Sequence, residues 1–242
     1  MGVVLVHGGG FAASCWELML PLLETPALAV DLPGRGRRPA DLAEVTVDDF
    51  AEAVADDILS SGWERVVLVG HSLAGITLPR VAALVPDRLA HLVFVACKVP
   101  ADGQSCADTL DADVRARIAT RGGADGTAGG EPRDQAEREA AVSRLANDLD
   151  EGQVSFMLRC MVPEAPGPIM APADLAGLGH PIGRTWVRCL QDAIVPVEEQ
   201  DRYIANIGGA DVVDLDAGHM AMVGRPGELA GILDHIASRA LG

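Results

Sequence analysis

No run in this sequence approaches the roughly 18 apolar residues that a helix needs to cross a bilayer, although hydrophobic residues make up 49% of the chain. A helical membrane protein is thereby excluded. Basic residues are also scarce: 19 Lys and Arg face 35 Asp and Glu, a formal net charge of −16. That balance repels phosphate backbones and anionic lipid surfaces, so neither nucleic acid nor a membrane is expected as a partner. The five cysteines (Cys15, Cys97, Cys106, Cys160 and Cys189) are scattered without a C-x-x-C pair. Neither a zinc site nor a disulfide framework is signalled, and buried, reduced thiols are expected. His91, His180 and His235 lack ligand spacing, so no metal or other cofactor is implied. With only 4 Phe, 3 Trp and 1 Tyr, aliphatic or sulfur-lined pocket walls are favoured over an aromatic cage. The stretch from Met1 to His7 lacks the basic leader and cleavage site of a secretory signal, and a cytoplasmic protein is expected.

The 242 residues suffice for one α/β domain, the default at this length. Short β-branched runs at 3–6, 27–30, 66–69, 91–95, 185–190 and 211–215 alternate with helical patterns. This rhythm predicts a mainly parallel sheet of about six strands flanked by helices. A helix over 47–60 presents Val47, Phe50, Val54 and Ile58 on one face behind Thr46 as N-cap, and a final helix opens at Pro226. Residues 1–96 and 182–242 form the expected core. Residues 97–181 lack the sheet rhythm and read as a helical cap insertion over the carboxyl ends of the strands, with a Gly-rich break at 121–126.

A serine hydroxyl becomes a useful nucleophile only when a base removes its proton and a turn presents it to a carbonyl. In Gly70-His71-Ser72-Leu73-Ala74-Gly75, directly after the apolar run 66–69, Ser72 falls on such a strand-to-helix turn. On that motif alone an ordinary βα turn remains a fair alternative. Pro79 should then kink the following helix. A base is available in His219 beyond the last strand, and an acid in Asp192 beyond the preceding one. The order Ser72, Asp192, His219 is the order of a nucleophile-elbow hydrolase. Asp214 and Asp216 compete as the acid but lie on or beside His219's own strand. The oxyanion requires two N–H donors: Leu73, after the nucleophile, and Gly9, in His7-Gly8-Gly9-Gly10-Phe11. That glycine run lacks the Lys-Ser/Thr of a phosphate loop. His71 is expected to support the elbow and His7 to brace the oxyanion loop.

These residues resemble the α/β-hydrolase superfamily over nearly the whole chain, and within it the plant methylesterase and hydroxynitrile lyase branch with its bacterial esterase relatives. The resemblance rests on Val4-Leu5-Val6-His7-Gly8-Gly9 with Trp16, Gly70-His71-Ser72-Leu73, Gln191-Asp192, His219-Met220-Ala221-Met222 and the run Met161-Val162-Pro163-Glu164. It implies an α/β-hydrolase fold. Lyases of this group carry threonine where Gly8 stands and lysine where Met220 stands, so this chain is similar to the esterases. Ala74 and the run Asp31-Leu32-Pro33-Gly34-Arg35-Gly36 depart from the branch and look more like bacterial hydrolases and cofactor-free haloperoxidases.

The leading reading is hydrolysis of a carboxylic ester or lactone of a small apolar molecule through an acyl-Ser72 intermediate. The rivals are a hydrolase-fold lyase or perhydrolase, and a ligand receptor that keeps the triad with negligible turnover. Phe11, Trp16, Phe156, Met157, Met161, Met170 and Met220 are candidates for the pocket wall, each as readily simple packing. An apolar face of the cap would suit a homodimer or a substrate entrance equally.

Overall fold

The computed structural model describes residues 1–110, 116 and 135–242. Among them, six strands form one wholly parallel sheet: β1 (Gly2–Val6), β2 (Ala27–Val30), β3 (Val66–His71), β4 (Leu89–Val95), β5 (Gly183–Cys189) and β6 (Asp211–Leu215). Their spatial order is β2-β1-β3-β4-β5-β6. The chain reverses direction across the sheet between β1 and β3, the crevice where open α/β sheets bind ligands.

Alternation along the strands sorts the core into two layers. Val3, Leu5, Val67, Val69, Val93 and Val95 cluster with Leu229, Leu233 and Ile236 of the last helix, Pro226–Leu241. Val4, Val6, Leu68, Leu92 and Phe94 cluster with Phe50, Val54 and Ile58 of α1 (Val47–Ser60) and with Leu78 and Val81 of α2 (Leu78–Leu84). Apolar cover on both faces explains why these strands read as continuous hydrophobic runs. Trp186 of β5 stacks on Phe94 of β4 with ring centroids 5.7 Å apart.

Local chemistry sets the helix limits. Thr46 caps α1 in a reciprocal box with Asp49, with N···O distances of 3.2 and 2.8 Å, satisfying two N–H groups at its start. The helix after the elbow differs from expectation. Ser72–Ile76 form a 3-10 turn and α2 begins only at Leu78, so Pro79 lies in the first helical turn, where its missing N–H costs nothing, and produces no internal kink.

Between β4 and β5 the described residues include α3 (Gln135–Leu145), α4 (Glu151–Cys160) and α5 (Pro166–Met170). The anticipated Gly-rich break at 121–126 lies outside the described residues. This segment bonds to the loops beyond β5 and β6. Arg144 donates to the Ala193 carbonyl at 3.0 and 3.1 Å, Asn147 to the Gln191 carbonyl at 2.7 Å and Gln153 to the Val223 carbonyl at 3.0 Å. Beyond β5 come α6 (Val197–Asn206), α7 (Ala221–Gly224) and α8 (Pro226–Leu241). All five cysteines are free and buried. Among the described residues no helix is long and apolar enough to cross a membrane.

Candidate active site

The carboxyl ends of β1, β3, β5 and β6 bring the chemistry-bearing residues to one edge. Ser72 follows β3 with φ 51°, a left-handed conformation that L residues adopt only when their surroundings enforce it. The surroundings are small by necessity. A Cβ added to Gly70 would stand 2.5 Å from Leu78 Cδ1 and 3.1 Å from Ala74 Cβ, so the turn holds the Ala74 methyl and no second one. A Cβ on Gly75 would lie 2.4 Å from the Lys98 carbonyl oxygen. The Lys98 N–H in turn donates to the Ser72 carbonyl at 2.9 Å. The alanine at position 74, unusual for the motif, is thus accommodated because position 70 carries no side chain.

Ser72, His219 and Asp192 form a continuous hydrogen-bonded chain. His219 Nδ1 lies 2.7 Å from Asp192 Oδ2, and His219 Nε2 lies 2.9 Å from Ser72 Oγ. An ionised carboxylate can only accept, so Nδ1 carries the proton and Nε2 is left to accept from the serine hydroxyl. The other Asp192 oxygen accepts from the N–H groups of Ile194 and Val195 at 2.7 and 2.8 Å. Burial works to raise the Asp192 pKa. The hydrogen bond and charge of His219, with the Val195 and Ile194 N–H groups, outweigh it and hold the carboxyl below its ordinary value. Asp214 and Asp216 have other partners, Arg188 at 2.7 Å and the Gln191 amide at 2.6 Å respectively.

Gln200, absent from the sequence-based candidates, holds the acid loop from beneath. Fully buried on α6, it donates to the Cys189 and Val195 carbonyls at 2.8 and 2.9 Å and accepts from the Cys189 N–H and Trp186 Nε1 at 3.1 and 3.2 Å. All four amide hydrogen-bonding positions are filled, which fixes both ends of the turn carrying Asp192.

Two further histidines brace the site. His71 Nε2 donates to the His219 backbone carbonyl at 2.9 Å, tying the elbow to the base loop. His7 Nδ1 donates to the Gly8 carbonyl at 2.8 Å, and its Nε2 accepts from the Leu32 N–H at 3.3 Å. The Gly8 carbonyl and Gly9 N–H belong to one planar peptide unit and point in opposite directions. By holding the carbonyl, His7 sets where the Gly9 N–H points. Among the described residues neither the Gly9 nor the Leu73 N–H donates to another protein group.

Burial pushes both rings down to about 3, seconded by Arg35 at His7 and by the His219 imidazole at His71. Both therefore stay neutral where an unfolded-chain histidine, titrating near 6.5, would protonate. The unfolded state binds more protons between pH 6.5 and 3, so this stability is complete above pH 6.5 and is lost as pH falls towards 3. At pH 5 the loss amounts to about 2 kcal/mol per ring. Thermal unfolding from pH 7.5 to 5 should show a falling midpoint that is shallower in His71→Gln. Equal slopes for the two proteins would contradict the assignment.

The expected pocket residues separate. Phe11, Trp16, Met157 and Met220 are buried within the core, with Trp16 edge-on to His71 at 6.4 Å. Phe156 is half-buried, whereas Met161 and Met170 are exposed. A Cβ on Gly8 would lie 2.9 Å from Ser72 Cβ and from His71 Nδ1, so a threonine there has no room. Among the described residues no group of three or more His, Cys, Asp or Glu could hold a metal.

Known proteins resemble this chain over nearly its whole length. A model described as the alpha/beta hydrolase family matches residues 3–232. The chain is 30% identical to a probable esterase, PIR7A, of Oryza sativa subsp. indica, over 98% of this chain and 96% of that protein. It is 28% identical to methylesterase 9 of Arabidopsis thaliana, over 98% of both. Among solved structures, an extracellular alpha/beta-hydrolase from a Paenibacillus species superposes with a TM-score of 0.82 over 99% of both chains at 20% identity.

Proposed function

Because the chain belongs to the alpha/beta hydrolase family, we propose that it is a carboxylic ester hydrolase in which Ser72 is the nucleophile, His219 the general base and Asp192 the acid that orients it. The hydrogen-bonded chain of 2.9 and 2.7 Å through Ser72, His219 and Asp192 carries this reading. The relatives named esterase and methylesterase support it at about 30% identity.

Ser72 Oγ attacks the ester carbonyl carbon as its proton passes to His219 Nε2. The carbonyl oxygen gains the negative charge and takes hydrogen bonds from the Gly9 and Leu73 N–H groups. One such donor is worth about 10²–10³ in kcat in a comparable site. The imidazolium is held beside ionised Asp192. As the C–O bond to the leaving alcohol breaks, His219 returns its proton to that oxygen. Water, deprotonated by the now neutral His219, then attacks the acyl-serine, releasing the acid and restoring the Ser72 hydroxyl.

A small apolar ester or lactone is the substrate class inferred from a composition poor in aromatic residues, with 4 Phe, 3 Trp and 1 Tyr among 49% hydrophobic residues. Cyanohydrin cleavage is disfavoured, since Gly8 leaves no space for a threonine and Met220 is buried in the core. A p-nitrophenyl phosphonate tests the mechanism, because displacement of p-nitrophenolate leaves phosphorus bound to the attacking oxygen. One adduct per chain, mapped to Ser72 by mass spectrometry, should accompany proportional loss of hydrolysis across a panel of acyl esters and lactones. An adduct elsewhere, or undiminished hydrolysis in the fully labelled protein, would overturn the assignment.

A further inference from the structure

Both polar groups of Gly10, the residue following the Gly9 donor, are engaged by the segment between β4 and β5. The Gly10 N–H donates to Glu164 Oε2 at 2.7 Å, and its carbonyl accepts from the Val162 N–H at 2.8 Å. Gly10 has φ +74°, which suits glycine and leaves the loop little intrinsic preference for this shape. Glu164 is only 4% exposed. Its other oxygen accepts from the Ala165 N–H at 2.8 Å and pairs with Arg35, itself buried with its guanidinium 4.9 Å from the Phe50 ring centroid. The carboxylate also abuts Gly9, where an added Cβ would stand 3.0 Å from Glu164 Oε2 and 3.1 Å from Leu73 Cδ2.

A buried ion pair of this kind is rarely worth more to stability than apolar side chains of similar volume. What apolar groups could not supply is an acceptor at Gly10. Gly9 lies between two held peptide units, the Gly8 carbonyl pinned by His7 and the Gly10 N–H pinned by Glu164. Removing the second restraint frees the Gly9–Gly10 peptide to rotate and leaves the Gly8–Gly9 unit, which carries the Gly9 N–H, held from one side only.

We propose that Glu164 is a positioning residue of the oxyanion loop, its carboxylate held by Arg35, so that the Gly9 N–H is fixed from both sides only while residues 162–164 are seated on the loop after β1. This inference rests on the ester-hydrolase reading of Ser72. It gives that segment a part in the reaction through the backbone of a residue it does not itself supply.

Two double variants isolate the hydrogen bond from the charges, since each removes the arginine that would otherwise be left unpaired. In Arg35→Met/Glu164→Gln the glutamine oxygen still accepts from the Gly10 N–H. In Arg35→Met/Glu164→Met it cannot. The first should keep kcat within about fivefold of the wild type, and the second should lose about 10- to 100-fold in kcat with KM little changed, as a misaimed donor does. Affinity for a trifluoromethyl ketone, whose hemiketal oxyanion occupies the donors, should fall with kcat in the methionine pair alone. Affinity for the planar product acid should stay constant.

Equal kcat and equal ketone affinity in the two pairs would overturn the proposal. So would loss of folding in both by thermal melting, which would assign the pair to stability. Lack of Ser72-dependent turnover in the wild type would overturn the ester reading and this proposal together, whereas turnover indifferent to residue 164 would overturn this proposal alone.

Discussion

Replacing Ser72 with alanine is expected to lower kcat for ester hydrolysis by about 10⁶-fold, with His219→Ala costing a similar factor. The double variant should be scarcely worse than either single one. The hydroxyl and the imidazole share a 2.9 Å hydrogen bond and in the proposed mechanism act in one proton transfer, so either should be ineffective without the other. A residual rate above that of water should persist, because the Gly9 and Leu73 N–H groups and the rest of the binding surface remain. Initial rates on a p-nitrophenyl ester, with protein expressed and purified in parallel to exclude a contaminating esterase, provide the measurement. A Ser72→Ala rate within tenfold of the wild type would refute the nucleophile, and a double variant whose losses multiply would refute the coupled role of His219.

Asp192→Asn should cost about 10⁴ in kcat while leaving KM nearly unchanged. The change is almost isosteric, so the effect follows from tautomer rather than shape. In the native site Nδ1 carries the proton and donates to Oδ2 at 2.7 Å. The Ile194 and Val195 N–H groups occupy the other Asp192 oxygen, so in asparagine the amide oxygen takes that place and the NH₂ faces the ring. Nδ1 must then accept, which puts the proton on Nε2 towards Ser72, where it can no longer receive one. Asp214→Asn is the matched control. Its carboxylate bonds Arg188 at 2.7 and 3.1 Å at the protein surface, so the rate should stay within about twofold, in line with surface changes remote from a site. A small effect of Asp192→Asn together with a large one of Asp214→Asn would reverse the assignment of the acid.

How much of this was legible beforehand follows from how local each signal is. Strands covered on both faces are continuous apolar runs, so their order and most of their limits can be read from 3–6 or 66–69 directly, whereas the largely exposed edge strand at 211–215 is marked only by its β-branched valines. Thr46 announces the start of α1 through its own side chain. Ser72, Asp192 and His219 are readable because each follows a strand, and a parallel sheet delivers every such loop to one edge. Pro79 departs from its expected role as a kink because the elbow continues as a 3-10 turn before α2, a backbone detail that side-chain periodicity does not carry. Gln200 stands in the charged run Glu198-Glu199-Gln200-Asp201-Arg202, and its burial follows from how α6 folds back on the preceding strand, where it bonds Trp186 and Cys189, an angle of packing that residue types alone do not carry. Arg35 and Glu164 are separated by 129 positions. Each alone looks like an ordinary surface charge, and only the tertiary fold reveals them as one buried pair.

The left-handed backbone at Ser72 has a consequence for any attempt to make this protein hardier. A non-glycine residue in that region carries about 1–3 kcal/mol of strain, set against a total stability of only about 5–15 kcal/mol for a typical domain. Glycine would relieve the strain and remove the hydroxyl in the same substitution, so a search ranked on melting temperature alone would favour an inert protein. With Ser72 as the proposed nucleophile, thermostability and turnover are expected to oppose each other at this residue, and screens for robust variants need a rate measurement beside every melting curve.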